Sequence, residues 1–286
     1  MLRDTREFTF GAAVVLIVPL IIGSGLLLGY IVLRSCNVRV FPRCHFPVVP
    51  WDGWHVVRTV CAFVVIHRLM VAAVGCLEQT RATRAALLRI PESVVVALAA
   101  NAVMAATCLF IIALVAWGGR DALGLLGLRE KHKGARAALG VTGLLMVIPL
   151  LFAAGILMLI LGPLFGIHPR PQLLLADARS IPPAAFAVLC ASAILIAPIT
   201  EEILFRGFLY ATLRRYLGPL GAISLTAALF SLLHSYAFGF LSLFLIGFLL
   251  GYLYERTGSL VASVAAHAAN NLYSLLVVLI VFRSGL

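Results

Sequence analysis

The sequence predicts an all-α membrane protein, a polytopic helical bundle that crosses the bilayer about eight times. Of its 286 residues, 63% are hydrophobic and only 12% are charged, whereas soluble domains carry about 25% charged residues. Apolar runs long enough to cross roughly 30 Å of hydrocarbon recur along the chain. Backbone groups in lipid must be hydrogen-bonded within their own segment, so we expect these runs to be helices. The short alternating segments of a membrane β-barrel are not seen.

The predicted spans form two groups of four. The first apolar run exceeds the roughly 7–15 residues of a signal peptide, so we interpret it as an uncleaved membrane helix. The sixth and seventh spans are joined by almost no loop and are expected to form a tight antiparallel pair. The spans cover residues 9–33, 56–77, 93–117 and 138–162 in the first group, and 184–215, 220–235, 238–254 and 259–282 in the second.

Charge and loop composition describe the surroundings of the bundle. The formal net charge is +11, but the basic residues are scattered over loops, which favours contact with anionic lipid headgroups over binding of nucleic acid. They divide almost evenly between alternate loops, so the orientation in the membrane stays open. Trp51 and Trp54 suit a membrane interface. Cys36 and Cys44 share a polar loop and would form a disulfide only in an oxidising compartment.

Small residues at helical spacing predict close helix contacts in the second group of spans. Gly247 and Gly251 are four residues apart on the seventh span, and Ala262 and Ala266 are four apart on the eighth. Small residues at this spacing let the backbones of membrane helices approach closely. We therefore interpret both pairs as packing faces.

The fifth span carries an unusual group of charges, Glu201-Glu202-x-x-x-Arg206. Ionisable residues inside a bilayer are costly, so each one is a hypothesis for a functional site. Glu202 and Arg206 are four residues apart, which suits an ion pair on one helix face. Glu201 points about 100° away from Glu202 and is left for other chemistry. The alternative is an interfacial charge pair at the end of a helix.

Two further polar motifs lie on the sixth and eighth spans. Phe230 and His234 are one turn apart, and so are His267 and Asn271, with Asn270 close to the same face. A lone histidine more often serves the structure by a hydrogen bond to a backbone carbonyl or another side chain. A pair such as His267 and Asn271 more often forms hydrogen bonds that join neighbouring helices. Taken together, a carboxylate, two imidazoles and an amide are the groups needed to activate water and stabilise an oxyanion.

The three motifs, in this order and with equal spacing from Glu201 to His234 and from His234 to His267, resemble those of the CPBP family. This family of intramembrane endopeptidases includes the type II CAAX prenyl endopeptidases and the bacteriocin-processing, Abi-like proteins. The resemblance covers about residues 184–282. It implies a division into N-terminal membrane helices, residues 1–183, and a catalytic core, residues 184–286. The sequence has no H-E-x-x-H motif, which disfavours the class of intramembrane proteases that bind zinc through this motif.

The resemblance implies four catalytic residues. Glu201 would be the general base for the attacking water, His234 would hold that water or a metal, and His267 and Asn271 would donate hydrogen bonds to the oxyanion. No cofactor is certain. A divalent metal such as zinc, held by Glu201, His234 and His267, is the alternative, because two histidines and a carboxylate can bind zinc. The supporting residues would be Glu202, Arg206, Phe230 and Asn270.

The function that we predict is hydrolysis of a peptide bond near the membrane surface. The partners would be the lipid bilayer and a peptide or membrane-protein substrate, prenylated in the CAAX-type case, and the location would be the bacterial plasma membrane. One alternative is a proton-coupled transporter that uses Glu201, His234 and His267 as a relay. It would predict inverted repeats, and the sequence has none. The other alternative is a catalytically silent immunity or scaffold protein on the same fold.

Overall fold

A computed structural model describes residues 2–36, 46, 48–78, 92–117, 119–169 and 181–284. Within these ranges all regular secondary structure is helical, which confirms the all-α fold class. Cys44 lies outside the described residues, and so does the question of a disulfide between Cys36 and Cys44. The helices are α1 Leu2–Ser35, α2 Gly53–Glu78, α3 Glu92–Ala116, the one-turn α4 Ala122–Leu125, α5 Lys133–Leu161, α6 Pro183–Ala191, α7 Ala197–Glu202, α8 Ala211–Leu233, α9 Phe240–Thr257 and α10 Leu260–Ser284.

Seven helical stretches in the described part of the chain are long and apolar enough to cross a membrane. One of them, Pro183–Leu233, has 51 residues, and its length of about 77 Å exceeds twice the hydrocarbon thickness. It is interrupted at Gly218, where φ 68° and ψ 176° are not helical. This stretch therefore contains both the fifth and the sixth predicted spans.

The chain divides into two compact units, and each combines residues from both sides of the boundary predicted at residue 183. The first unit contains Met1–Pro47, Glu130–Arg170 and Leu217–Leu286. The second unit contains Val48–Arg129 and Pro171–Tyr216. The division into N-terminal helices and a catalytic core stays a prediction.

The first unit is built on close contacts between helices at small residues. In this unit α5 packs against α1, α9 and α10. A side chain at Gly140 would collide with the carbonyl oxygen of Ala262, so α5 and α10 touch backbone to backbone. A Cβ at Gly247 would lie 3.0 Å from the Cα of Ala227. The last contact joins α8 to α9, which confirms that the sixth and seventh predicted spans form a tight pair.

The second unit is built around α3. This helix packs against α2 on one side and contacts the successive turns of the 183–210 segment. Val94 and Leu189 form a small buried cluster between these elements. The outer face of α2 exposes large apolar side chains, including Val65 and Leu69, as expected of a helix surrounded by lipid. The second unit therefore holds the segment that carries Glu201 against α3.

Candidate active site

The segment that carries Glu201 alternates between α-helical and π-helical turns. The turns Ser192–Ile196 and Ile203–Tyr210 are π-helical, and α7 lies between them. The first wide turn ends at Ile196, two residues before Pro198, whose ring would clash with the carbonyl four residues earlier in a regular α-helix. Wide turns of this kind occur often at functional sites. Glu201 and Glu202 therefore sit at the end of a short α-helix between two distorted turns.

Glu202 and Arg206 form the ion pair that their spacing predicts. Arg206 Nη1 donates a hydrogen bond to Glu202 Oε1 at 2.8 Å, and both side chains are 0% exposed. The guanidinium also lies 5.6 Å from the centroid of the Phe205 ring. Since each charge is matched by its partner, the pair is suited to holding the helix in place. Glu201, the other carboxylate of the motif, is half-buried.

The turn before Glu201 is anchored to α3. The thiol of Cys108 donates a hydrogen bond to the carbonyl oxygen of Thr200 at 3.0 Å. The hydroxyl of Thr200 donates to the carbonyl oxygen of Ile196 at 2.9 Å, which satisfies a backbone group in the distorted region. Cys108 and Thr200 are buried. The backbone that leads to Glu201 is therefore held by contacts within the second unit.

Trp51 anchors the other end of the same segment and is buried within the protein, which the sequence does not predict. Its side chain is 1% exposed and stacks on Phe208 at a centroid distance of 5.9 Å. Its indole Nε1 donates a hydrogen bond to the hydroxyl of Thr212 at 3.1 Å, and Arg215 Nη1 donates to its carbonyl oxygen at 2.9 Å. Trp54, by contrast, is 71% exposed. The one sequence signal for these contacts is the tryptophan itself, whose N–H usually finds a partner when it is buried.

In the first unit, Phe230 brings two predicted site histidines together. Its ring centroid lies 4.5 Å from that of His234 and 5.6 Å from that of His267, in an edge-on arrangement with the latter. His234 Nδ1 lies 2.7 Å from the carbonyl oxygen of Phe230. A carbonyl oxygen only accepts, so Nδ1 carries the proton in this contact and Nε2 of the neutral ring is an acceptor. That acceptor suits a water molecule or a metal ion.

The eighth predicted span, now α10, places the remaining polar residues along one helix. His267 is buried, whereas Asn270 and Asn271 are half-buried. Asn270 Nδ2 lies 3.5 Å from Asn271 Oδ1, at the long limit of a hydrogen bond. His267 and Asn271 are one turn apart on a continuous helix, so the shared face that their spacing predicts is present.

The predicted site residues fall into the two units. Glu201, Glu202 and Arg206 belong to the second unit, and Phe230, His234, His267, Asn270 and Asn271 belong to the first. Taken unit by unit, the described residues include no group of three or more His, Cys, Asp or Glu side chains placed to hold a metal. Assembly of Glu201 with the two histidines, with or without a metal, stays a prediction.

All eight of these residues lie within a single stretch of the chain that matches a known protein family. Residues 183–273 match the Rce1-like family. The matching family is described as type II CAAX prenyl endopeptidase, Rce1-like, and the match confirms the resemblance that the three motifs predict. The Rce1-like segment is about a third of the chain. No curated protein and no solved structure matches the chain.

The match and the helices together give a coarse description of the chain. It is an integral membrane protein whose apolar helices include those of the Rce1-like segment. Its similarity to this family supports CAAX-type intramembrane endopeptidase activity in general and a peptide as substrate. The helices α1 to α5 precede the Rce1-like segment.

Proposed function

We propose that the protein is an intramembrane endopeptidase that hydrolyses a peptide bond near the membrane surface with a water molecule activated by Glu201. The observation that carries the proposal is the Rce1-like match, which encloses every residue of the three motifs. The first substrate to consider is a prenylated C-terminal peptide, and a peptide precursor or a membrane protein is the second. The proposed location is the bacterial plasma membrane.

Glu201 is the proposed base because it is the half-buried carboxylate of the motif, whereas the Glu202 side chain is fully buried. Glu202 is the residue that pairs with Arg206 at 2.8 Å, so its charge is committed to the helix. The Glu201 carboxylate would take a proton from water as the water oxygen bonds to the scissile carbonyl carbon. It would then return that proton to the leaving amine as the carbon–nitrogen bond breaks.

His267 and Asn271 are proposed to stabilise the oxygen that becomes negative during this attack, and His234, whose Nε2 is an acceptor, is proposed to hold the attacking water. Donors fixed in advance in a site that excludes water are worth more than the same donors in solution. Loss of one oxyanion donor costs about 2.7–4 kcal/mol of transition-state stabilisation. The packing of Phe230 against both imidazoles supports these roles, because it restricts the motion of the two rings.

A divalent metal is the alternative way to hold the water. His234 Nε2 is an acceptor nitrogen, which suits a zinc ion as well as a water. Such a metal would supply a Lewis acid that lowers the pKa of the bound water. Assays with and without a chelator, followed by readdition of zinc, distinguish the two forms of the proposal.

The decisive experiment is cleavage of a labelled prenylated peptide by the purified full-length protein. Glu201→Gln keeps the size of the side chain and removes the base, so the rate is expected to fall by at least about 100-fold. Glu255→Gln, the same change in a glutamate of α9, is the matched control and should cleave at the wild-type rate. Cleavage that survives Glu201→Gln contradicts the proposed base. Absence of cleavage by the wild type, with either a prenylated or an unprenylated peptide, contradicts this substrate class.

A further inference from the structure

An apolar cavity lies in the first unit among α1, α5 and α9, and no motif residue lines it. Its volume is about 250 Å³, somewhat below the roughly 300–1,000 Å³ of pockets that enclose a whole drug-sized ligand. The cavity therefore suits one segment of a chain-like molecule. The apolar side chains that line it include Leu27, Met146, Val147, Leu150, Phe248 and Leu249.

The surroundings of this cavity indicate what kind of chain would enter it. The three helices are all candidate membrane spans. Leu150, which lines the cavity, is 43% exposed. Leu28, the residue after the lining residue Leu27, is also exposed. In a membrane these surfaces meet hydrocarbon, so an acyl chain of a lipid is the molecule with direct access.

Basic groups lie beside one of the tyrosines that line the cavity. These tyrosines are Tyr30 and Tyr252, and their hydroxyl groups are hydrogen-bonded to each other. The guanidinium of Arg256 lies 5.9 Å from the centroid of the Tyr252 ring. Arg34, in the last turn of α1, lies near enough for its charge to act on the same hydroxyl. The charged groups that act on the Tyr252 hydroxyl are therefore the two basic ones, Arg256 and Arg34.

We propose that the cavity binds one acyl chain of an anionic phospholipid from the surrounding bilayer, with the lipid phosphate held by Arg34 and Arg256. Both arginines are in the last turn of a membrane helix, which is the level at which headgroups lie. An acyl chain matches the apolar walls, and a phosphate matches the two guanidinium groups and the two hydroxyls. The proposal does not depend on the peptidase activity.

Binding of lipid to the purified full-length protein tests the proposal directly. Native mass spectrometry measures retention of phosphatidylglycerol and of phosphatidylcholine with identical acyl chains. The wild type is expected to retain phosphatidylglycerol more strongly. Arg34→Gln and Arg256→Gln should each weaken that binding about fivefold, from the usual contribution of one basic residue near an anionic headgroup. Arg58→Gln removes an exposed charge of α2, in the second unit, and should have no effect.

A second variant tests the apolar part of the site. Leu150→Trp fills the mouth of the cavity from the exposed side, so the fold should tolerate it, and binding of both lipids should fall. The thermal unfolding of each variant is measured beside the wild type, so that a loss of binding in a folded protein is separated from a loss of folding.

Two results would overturn the assignment. One is equal retention of the two lipids with no response to either arginine variant. The other is displacement of phosphatidylglycerol by a prenylated peptide together with loss of peptidase activity in Leu150→Trp, which would make the cavity part of the substrate site. Failure of the peptide cleavage experiment leaves the lipid measurement unaffected, because the readout is bound mass.

Discussion

Breaking the ion pair between Glu202 and Arg206 is expected to destabilise the fold strongly. The charged atoms lie 2.8 Å apart and neither side chain is exposed. Arg206→Met removes the guanidinium and leaves the carboxylate of Glu202 buried without its cation. Removing one partner of such a pair costs about 3–5 kcal/mol, because the remaining charge has neither water nor a counter-ion.

The size of this effect makes it measurable. At 1.4 kcal/mol for each factor of ten, the ratio of folded to unfolded protein should fall by roughly 10² to a few times 10³. Replacing both residues, Glu202→Leu with Arg206→Met, removes both buried charges. The double variant is therefore expected to be as stable as the wild type or more stable by up to about 4 kcal/mol.

The assay is reversible unfolding of the detergent-purified protein by sodium dodecyl sulfate, followed by circular dichroism. The matched control is Arg129→Ala, which breaks the exposed ion pair with Asp121 in the same unit. The Arg129 side chain in that pair is 70% exposed, so the loss should be only about 0.2–1 kcal/mol.

The reasoning fails if Arg206→Met costs no more than Arg129→Ala, or if the double variant is as unstable as Arg206→Met. Peptide cleavage by the double variant adds a separate test. If the double variant folds with wild-type stability but does not cleave, then Glu202 or Arg206 acts on the substrate and its role is not confined to holding the helix.

Two further predictions concern packing and pH. Gly247→Val should destabilise the first unit by about 1–3 kcal/mol, because the new side chain meets the backbone of α8. Gly29→Ala places its methyl group in open space, so it should be neutral or stabilising in the same unfolding assay. Equal stability of the two variants would refute this prediction. The N–H of His132 and the side chain of Arg136 hold the pKa of Glu130 below its usual 4.5 against the opposing effect of burial. Because the pKa of Glu130 is lower in the folded than in the unfolded protein, its ionised carboxylate stabilises the fold at pH values above the unfolded-state pKa. This stabilisation is lost as the pH falls through the folded-state pKa. Unfolding measured from pH 7 to pH 3 should therefore show a smaller acid loss in Glu130→Gln, and identical pH curves would contradict the assignment.

The local features of this protein are those that the sequence predicts well. The bilayer demands apolar runs of a given length and satisfies no backbone group, so composition and run length are sufficient to predict helices and spans. The pairing of Glu202 with Arg206 depends on helical spacing alone, and so does the common face of His267 and Asn271. The three motifs also predict the family, because their order along the chain is a property of the sequence.

Contacts between distant parts of the chain were decided by the tertiary structure. The indole of Trp51 is buried within the protein and donates a hydrogen bond to Thr212, 161 positions away. The position of Phe230 between His234 and His267 likewise depends on how α8 and α10 pack. Neither contact leaves a periodic signal, because it depends on which surfaces meet and not on the spacing within either segment.

Two further features also depend on contacts between distant parts of the chain. They are the organisation into two compact units and the apolar cavity. The sequence does not indicate that each compact unit combines segments from both sides of residue 183. The cavity lies where side chains of α1, α5 and α9 meet, and no single helix forms its wall. Sequence therefore determines which segments are helices in a membrane and which polar groups they carry. The helix packing decides which of those groups share a surface, because side-chain volume acts only where two helices meet.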